Sequence, residues 1–347
     1  MQITRVTDEK AWDEYVFRNQ GSSFFHLLIW KKVIEQSFRF QPHYLCSQEQ
    51  DRKITGVLPL LFVDSRLTGK RMASLPFSYV CGPLADSHQI ALRLLEEGLR
   101  IAEKTGSKYF EIKADHEEGA AESLGFHASD YYRTYIVHLA DPDANWRNLH
   151  KSSTQRSINK AKKDGVKIEF SETEAGLRDF WRLNLGTCRF HGIPPQPYSF
   201  LKNVRHMLVQ NGLAKLVLAR YQERPVAGAF FFLFKDKVYY MYGASDPKYL
   251  FCRPNHLLLW QTMLWAMEND YRVFDLGRVS QDNTGLAEFK KRWGAQEKDL
   301  YYYYWPEIRG VGATDRAGWK FRLLTGTWKR MPIWLTRKGA FLYKHLA

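Results

Sequence analysis

The chain has 347 residues, which at about 100 to 200 residues per domain predicts two domains or one large domain. Hydrophobic residues make up 45% and charged residues 25% of the sequence, so it can bury an ordinary core and the disordered class is excluded. The formal net charge of +14 predicts an anionic partner.

The cysteines and the apolar segments indicate a reducing compartment. Cys46, Cys81, Cys188 and Cys252 stand far apart with no C-x-x-C pair, which argues against a zinc site and a secreted disulfide framework, and no metal site is predicted. The sequence opens with acidic residues rather than an apolar signal core, and no apolar run approaches the ~20 residues needed to cross a bilayer. We therefore expect a cytoplasmic protein without a membrane span.

An internal repeat divides the sequence. Residues 53–64 align with residues 225–236, and Gly, Phe and Asp coincide at one common offset. In each copy a second apolar stretch, a helical segment and a short strand then follow. In the first copy these are residues 73–80, 89–105 and 109–112. In the second copy they are residues 238–244, 257–270 and 273–276. This shared order of strand, turn, strand, helix and strand predicts two similar α/β units, at 1–140 and 141–305.

Hydrophobic periodicity supports these elements. Apolar residues recur every three or four positions through 90–104, as in a helix that covers a sheet. Residues 229–234 and 238–242 are apolar and aromatic runs around a Lys-Asp pair, a pattern typical of buried antiparallel strands joined by a tight turn. Residues 152–163 form a further predicted helix, which carries four basic residues and ends at Gly165.

The C-terminal region, 306–347, is predicted to be a separate basic and aromatic tail. It contains nine basic and two acidic residues, a net +7 of the total +14. Aromatic and aliphatic side chains interleave with the basic ones, a mixture that suits the interface of an anionic bilayer. Two alternatives stay open: the aromatic side chains pack on the body while the charges face solvent, or the basic residues bind tRNA phosphates.

Six segments carry a family resemblance, and they are Arg156–Val166, Arg189–Pro195, Tyr242–Ser245, Arg253–Asn255, Phe274–Arg278 and Phe289–Gly294. Together and in this order they resemble the Fem-type branch of the GNAT acyltransferase superfamily, most closely the FemAB-related proteins associated with exosortase and PEP-CTERM systems. The resemblance covers nearly the whole chain. It implies an α/β (α+β) fold of two tandem GNAT-like units, each a mixed, mostly antiparallel sheet with flanking helices.

The resemblance also implies an activity. Fem enzymes add an amino acid from aminoacyl-tRNA to the peptide of a peptidoglycan precursor. The expected reaction is therefore aminoacyl or acetyl transfer to an amine of a cell-envelope, peptidoglycan or exopolysaccharide precursor. Such a transfer needs a neutral amine nucleophile, stabilisation of negative charge on the carbonyl oxygen and alignment of the two substrates.

The resemblance places Lys290, the lysine of the F-K-x-x-[FW]-G motif, at the acyl donor, with Phe289 beside it. A cation there would neutralise a donor phosphate or polarise the ester carbonyl. The alternative is that Lys290 belongs to a solvated basic run with Lys291 and Arg292.

Three further residues are candidates for the chemistry. Asp275 and Arg278 lie at the end of a predicted strand, where the second unit is expected to open toward its cleft. The Arg can clamp a carboxylate or phosphate, and the Asp can hold it or accept a proton from an attacking amine, whereas a structural ion pair is the alternative. His191 titrates near neutral pH and is a candidate base, or a structural histidine in a rigid turn.

Candidate substrate-binding residues lie on a strand and on a helix N-terminus. Tyr242 points to the cleft if Tyr240 points to the core, and simple packing is the alternative. Asn255 and His256 begin a predicted helix after Pro254, where N–H groups and an amide would orient a substrate. Helix capping by Asn255 is the alternative.

A basic helix face completes the candidates. Arg156 and Lys160 are four residues apart, so they share one face and would bind phosphates of a nucleotide-linked or lipid-linked precursor. A solvated basic face is the alternative.

The acyl donor is left open between aminoacyl-tRNA and acyl-CoA, with no tightly bound cofactor expected. Acyl-CoA-dependent GNAT enzymes usually have a glycine-rich loop before the main helix, whose N–H groups cradle the pyrophosphate. The corresponding segment here, 249–255, has no glycine, which argues against a standard acetyl-CoA site.

The sequence thus predicts a cytoplasmic Fem-like N-acyltransferase, peripheral at the inner face of the cytoplasmic membrane. Its expected partners are an anionic envelope precursor, a tRNA donor and an anionic membrane surface that contacts residues 306–347, with no DNA. One alternative is a non-catalytic GNAT-like binding module of an exopolysaccharide or protein-sorting system. Nonspecific RNA binding is disfavoured, because no recognised RNA-binding motif is present.

Overall fold

The computed structural model describes residues 2–65, 67–307, 325–326 and 328–346. The strands are β1 Gln2–Arg5, β2 Gln41–Pro42, β3 Leu45–Gln48, β4 Ile54–Leu58, β5 Leu61–Ser65, β6 Gly69–Ala73, β7 Leu84–Ala85, β8 Phe110–Ala114, β9 His127–His138, β10 Lys167–Ser171, β11 Ala214–Tyr221, β12 Arg224–Phe234, β13 Lys237–Ser245, β14 Val273–Asp275, β15 Val279–Ser280 and β16 Gln296–Trp305. The α-helices are α1 Glu9–Arg18, α2 Leu28–Phe38, α3 His88–Lys104, α4 Gly119–Ser123, α5 Pro142–Asn148, α6 Arg156–Lys163, α7 Glu174–His191, α8 Tyr198–Val204, α9 Pro254–Glu268, α10 Thr284–Lys291 and α11 Ile333–Lys338. Within these ranges no helix is both long and apolar enough to cross a membrane.

The first of two compact units comprises residues 2–133, 299–307 and 344–346 of the described chain. One of its sheets has the order β1-β3-β4-β7, and the other has the order β2-β5-β6-β8-β16. Strands β6 and β8 are parallel, while β5 and β6 are antiparallel. Helix α3 buries its apolar stripe in this unit, and the close fit depends on Gly98, since a Cβ there would lie 2.8 Å from the Phe110 ring.

The second unit comprises residues 134–298 and the described residues between 325 and 343. Its sheet has the order β10-β11-β12-β13-β14, followed by residues 134–138 of β9. Strands β13 and β14 run parallel, and the other neighbours run antiparallel. Alternate residues of β12 face opposite sides: Phe231 joins the core under α9, whereas Phe230 packs against Phe180 of α7.

The two units repeat one arrangement of elements, although the aligned segment 53–64 covers β4 and most of β5 in the first unit, whereas 225–236 covers nearly all of β12 in the second. β5, β6, α3 and β8 in the first unit correspond to β12, β13, α9 and β14 in the second, and each time the last two strands are parallel. The predicted tandem pair of mixed, mostly antiparallel sheets with flanking helices is confirmed. The division between the units falls at 133/134, and residues 299–307 return to the first unit, whereas the sequence analysis placed the boundary at 140/141.

One segment predicted to be a strand is a loop in the structure. The second apolar stretch of the first copy, 73–80, is not a strand, because β6 ends at Ala73 and a buried loop follows. Leu75 and Phe77 have φ values of 51° and 63°, a left-handed conformation that cannot continue a strand. Pro76 between them also lacks an N–H for a ladder.

A β-bulge in the second unit sets the direction of two tyrosines. Phe230 pairs with Tyr242 and Phe231 pairs with Tyr240, so Met241 is an extra residue in β13. In a regular strand Tyr240 and Tyr242, two positions apart, would share one face of the sheet, so strand alternation alone does not give the opposite directions expected from the sequence. With the bulge, Tyr240 packs beside Phe231, at 5.5 Å between ring centroids, while Tyr242 lies on the opposite face, the one covered by α7.

Candidate active site

Lys290, near the end of α10, is the central side chain of the site. It is only 4% exposed, whereas Lys291 and Arg292 beside it are exposed, so the alternative of one solvated basic run is wrong for this residue. Its Nζ donates to the carbonyl oxygen of Gly277 at 2.6 Å and to that of Arg278 at 3.4 Å. The amine is thus fixed against the turn that follows β14.

The surroundings of Lys290 favour its neutral form. Burial lowers the pKa of this amine to about 7, a change that the Asp275 charge opposes and the Arg278 charge reinforces. The Tyr135 ring lies 5.8 Å from Nζ and adds to the enclosure. An amine with such a pKa exchanges a proton near neutral pH, which an ordinary lysine cannot do.

Asp275, the last residue of β14, holds this turn in place. Its Oδ1 accepts hydrogen bonds from Thr134 Oγ1 at 2.6 Å and from the Gly277 amide at 2.8 Å. Gly277 has a φ of 78°, and a Cβ there would lie 3.1 Å from the Tyr240 carbonyl oxygen. The hydrogen bonds of the turn therefore connect Asp275 to Lys290. The next residue after Gly277, Arg278, is half-buried.

The sheet of the second unit opens beside this turn. The parallel pairing of β13 and β14 ends at Tyr239 and Asp275, yet β13 continues to Ser245. The bulge at Met241 follows immediately. Parallel strands that part in this way leave backbone N–H and C=O groups that a ligand can pair with, so the opening is a suitable place for an extended substrate.

Phe289 and His256 form an aromatic cluster with Trp293. The His256 ring lies 5.5 Å from that of Phe289 and stacks on that of Trp293 at 6.0 Å. Burial, with a smaller effect of the Arg253 charge, lowers the pKa of His256 to about 4, so its imidazole is neutral at pH 7. The structure therefore places Phe289 in an aromatic cluster with His256 and Trp293.

Helix α9 begins differently from the prediction. Its first residue is Pro254 and its N-cap is Arg253, in a left-handed conformation with a φ of 54°. Helix capping by Asn255 is therefore wrong, since this half-buried residue lies within the first turn. Asn255 and His256 occupy the N-terminal turn of α9, as the sequence predicted for the helix start.

The basic helix α6 lies next to the end of α10. A π-helical turn, Lys151–Gln155, leads into it, and the His150 amide and Thr154 Oγ1 both donate to the Arg292 carbonyl oxygen at 3.0 Å. Arg156 and Lys160 are exposed on α6. The Lys160 amine forms an ion pair of 2.7 Å with the carboxylate of Asp164, at the end of the same helix.

Tyr242 is half-buried, and its hydroxyl is enclosed. It contacts Phe200 and Phe232, and a residue from the C-terminal region, Tyr343, lies beside it. The Gln196 amide nitrogen donates to Tyr343 Oη at 3.5 Å. Burial raises the pKa of Tyr343 well above its usual value, and the Arg278 charge partly opposes this rise.

His191 lies apart from the other candidate catalytic residues. It is the exposed last residue of α7, so the expected rigid turn begins only after it. Its ring contacts that of Phe190 at 5.3 Å, and burial together with the Lys329 charge lowers its pKa. In the part of the chain that the structure describes, these contacts do not join it to Lys290.

Sequence reasoning missed three residues of the site. Thr134 and Tyr135 lie 141 and 155 positions before their partners Asp275 and Lys290, and nothing in the local pattern marks them. Tyr343 comes from the predicted tail, most of whose first half, 308–324, lies outside the described residues.

Comparisons with known proteins agree with the fold. A model of the GNAT acetyltransferase domain matches residues 148–291, which include α6, α9 and α10. The solved structure of FemX covers 87% of this chain and 97% of its own, with a TM-score of 0.69 at 18% identity. A tandem GNAT protein from the clavulanic acid biosynthesis pathway covers 87% and 97%, with a TM-score of 0.57 at 12% identity. The fold is therefore that of a tandem GNAT protein, and the match to residues 148–291 indicates a GNAT acetyltransferase domain in the second unit.

Two curated proteins are similar to this chain over most of its length. The lipid II:glycine glycyltransferase of Staphylococcus haemolyticus is 24% identical over 71% of this chain and 79% of its own length. The UDP-N-acetylmuramoylpentapeptide-lysine N(6)-alanyltransferase of Weissella viridescens is 20% identical over 82% and 89%. In sequence the chain is thus similar to FemAB-like transferases. A non-catalytic binding module is not favoured, because both relatives are transferases.

Proposed function

We propose that the second unit transfers an aminoacyl group from an activated ester to an amine of a cell-envelope precursor, with Lys290 at the reacting centre. The observation that carries this proposal is a buried amine with a pKa of about 7, held by the Gly277 carbonyl where β13 and β14 part. The names of the two relatives, a glycyltransferase and an alanyltransferase, support an aminoacyl rather than an acetyl group.

Lys290 accepts and returns one proton in the proposed step. The acceptor amine attacks the ester carbonyl carbon, a C–N bond forms, and the C–O bond to the leaving hydroxyl breaks. The neutral Lys290 takes the proton that the attacking nitrogen loses and returns it to the leaving oxygen. An ammonium group has three N–H donors, and the Gly277 and Arg278 carbonyl oxygens accept two of them, which leaves the third for the leaving oxygen in the proposed step.

The segment before α9 favours an aminoacyl ester over acyl-CoA. This segment, residues 247–252, forms a 3₁₀ helix without glycine. The Lys248 amide donates to the Asp246 carboxylate at 3.0 Å, and the Tyr249 amide donates to the Asp246 carbonyl oxygen at 3.0 Å. Because these amide groups are already bonded, they do not form the cradle that a CoA pyrophosphate requires. We propose aminoacyl-tRNA as the donor.

The acceptor is proposed to be an anionic, phosphate-bearing precursor. The exposed Arg156 lies on α6, which the His150 and Thr154 hydrogen bonds hold against the end of α10. A phosphate on this helix would place the rest of the precursor near Lys290. The two relatives act on muropeptide precursors by name, whereas the resemblance to exosortase-associated proteins predicts an exopolysaccharide acceptor.

A transfer assay tests the proposal. The purified chain is supplied with aminoacyl-tRNA or acetyl-CoA, and with a UDP-linked muropeptide or an amino-sugar oligosaccharide as acceptor. Lys290→Met is expected to lower transfer by about 10²-fold or more, the usual contribution of a general acid or base. Lys291→Met, which changes the exposed neighbouring lysine, is the matched control and keeps activity. Full activity of Lys290→Met would overturn the assignment of Lys290.

A binding measurement separates the substrates independently of catalysis. A ligand of the native state raises the melting temperature of the protein. We expect stabilisation by an aminoacyl-tRNA mimic and by the true acceptor, and none by acetyl-CoA. Stabilisation by acetyl-CoA alone would replace the proposed donor.

A further inference from the structure

The described C-terminal residues carry a surface that the transfer reaction does not use. Ile333 and Trp334 of α11 are 50% and 61% exposed, and Phe341 after the helix is 63% exposed. Phe190, at the end of α7, is 65% exposed and lines one groove of 580 Å³ together with Ile333. We refer to Phe190, Ile333, Trp334 and Phe341 with the basic residues around them as the C-terminal face.

The segment is anchored on the second unit by its other side. Trp328, Thr336 and Tyr343 are buried, and the Arg337 guanidinium lies 5.1 Å from the centre of the Trp181 ring. The apolar residues of the C-terminal face are therefore exposed even though the other side of the segment packs on the second unit. A folded segment that buries one side and still presents large apolar side chains on the other indicates an interaction surface.

The C-terminal segment of this face carries charge of one sign, although Asp179 and Asp246 also line the groove that Phe190 shares with Ile333. Residues 325–343 contain four basic residues and no acidic residue. These are Lys329, Arg330, Arg337 and Lys338, and all four side chains are exposed. The Lys338 amine lies 5.6 Å from the centre of the Trp334 ring, so basic and aromatic groups alternate on one surface.

We infer that the C-terminal face docks the protein on the surface of an anionic phospholipid bilayer. Trp side chains prefer the headgroup level, with Ile and Phe reaching the acyl boundary, while basic residues remain at the phosphates. Each Lys or Arg near an anionic leaflet strengthens binding about fivefold. An RNA partner would use the four charges but would not require Ile333 and Phe341 to be exposed.

This docking goes beyond the proposed transfer and is separable from it. Tyr343 lies in the same segment and contacts Tyr242 of β13, so the C-terminal face is attached to the unit that carries the candidate site. A protein bound in this way would work at the membrane surface. Binding to lipid needs no substrate, so a failure of one proposal is distinguishable from a failure of the other.

Vesicle sedimentation of the full chain tests the inference. Vesicles of phosphatidylcholine containing about 30% phosphatidylglycerol are compared with vesicles of phosphatidylcholine alone, and we expect binding to the first at least tenfold tighter. Trp334→Ser with Phe341→Ser is expected to weaken binding at least tenfold, as is the fourfold variant K329Q, R330Q, R337Q and K338Q. Thermal unfolding of each variant shows whether it remains folded.

Matched variants in the first unit serve as controls. Phe17, which is 52% exposed on α1, is changed to Ser, and the charge control removes four exposed basic residues with K10Q, K53Q, R93Q and K104Q. Both controls are expected to bind within twofold of the unchanged chain. The inference is overturned if anionic vesicles do not bind, if the charge control loses as much affinity as the fourfold variant, or if that variant loses tRNA binding while keeping vesicle binding.

Discussion

The side-chain amine of Lys290 donates a hydrogen bond of 2.6 Å to the carbonyl oxygen of Gly277, thirteen positions earlier in the chain. This bond ties α10 to the turn after β14. The same turn is held by Asp275, whose carboxylate accepts from Thr134 and from the Gly277 amide. The position of the amine therefore depends on residues that never need to contact a substrate.

The rate of transfer is expected to rise with pH through about 7. Below this pH the buried Lys290 is protonated and cannot accept a proton, and above it the neutral amine predominates. The measurement is kcat/KM between pH 5.5 and 9 for the unchanged chain, Lys290→Arg and Lys291→Met. The inflection is expected to vanish with Lys290→Arg, which keeps the charge but cannot lose it, and to persist with Lys291→Met. An unchanged inflection in Lys290→Arg would assign it to another group.

Gly277→Ala is expected to lower both stability and transfer. Gly277 has a φ of 78°, and the added Cβ would lie 3.1 Å from the Tyr240 carbonyl oxygen, so we expect a loss of about 1–3 kcal/mol. Urea unfolding gives this free energy, and the transfer assay gives the loss of activity. The control is Gly285→Ala in α10, where nothing lies within 4 Å of the new Cβ. If both variants behave alike, the turn does not need its glycine.

The elements that local patterns determine were predictable, whereas the environment of the site was not. Alternation and helical period located β12, β13, α3 and α9 within a few residues. The family motif singled out Lys290, but the run from Lys290 to Arg292 by itself left a solvated basic run as an alternative, because nothing within it reveals that only its first member is buried. That burial follows from the turn at Gly277 and from a strand more than a hundred residues earlier, which are tertiary relationships.

Thr134→Val is expected to destabilise the turn without changing the shape of the buried side chain. The variant removes the hydroxyl that donates at 2.6 Å to Asp275 and leaves a buried carboxylate with one donor fewer. A cost of about 1.5–3 kcal/mol follows for a hydrogen bond to a charged group. Transfer should fall as well, because Asp275 positions the turn that holds Lys290. Thr134→Ser keeps the hydroxyl and is expected to restore both, and an unaffected valine variant would remove Thr134 from the site.

The stability of the protein is expected to rise with pH between about 4 and 6.5 because of His256. Its pKa is lowered to about 4 in the folded chain, while an unfolded histidine has its ordinary value of 6.5, so the unfolded state binds more protons in this window. The folded state therefore gains up to about 3 kcal/mol on going from pH 4 to pH 7. Urea unfolding at several pH values measures this slope, which should be smaller in His256→Gln and unchanged in His127→Gln, an exposed histidine of β9. An equal slope in all three proteins would mean that the stacking of His256 on Trp293 does not keep the imidazole neutral.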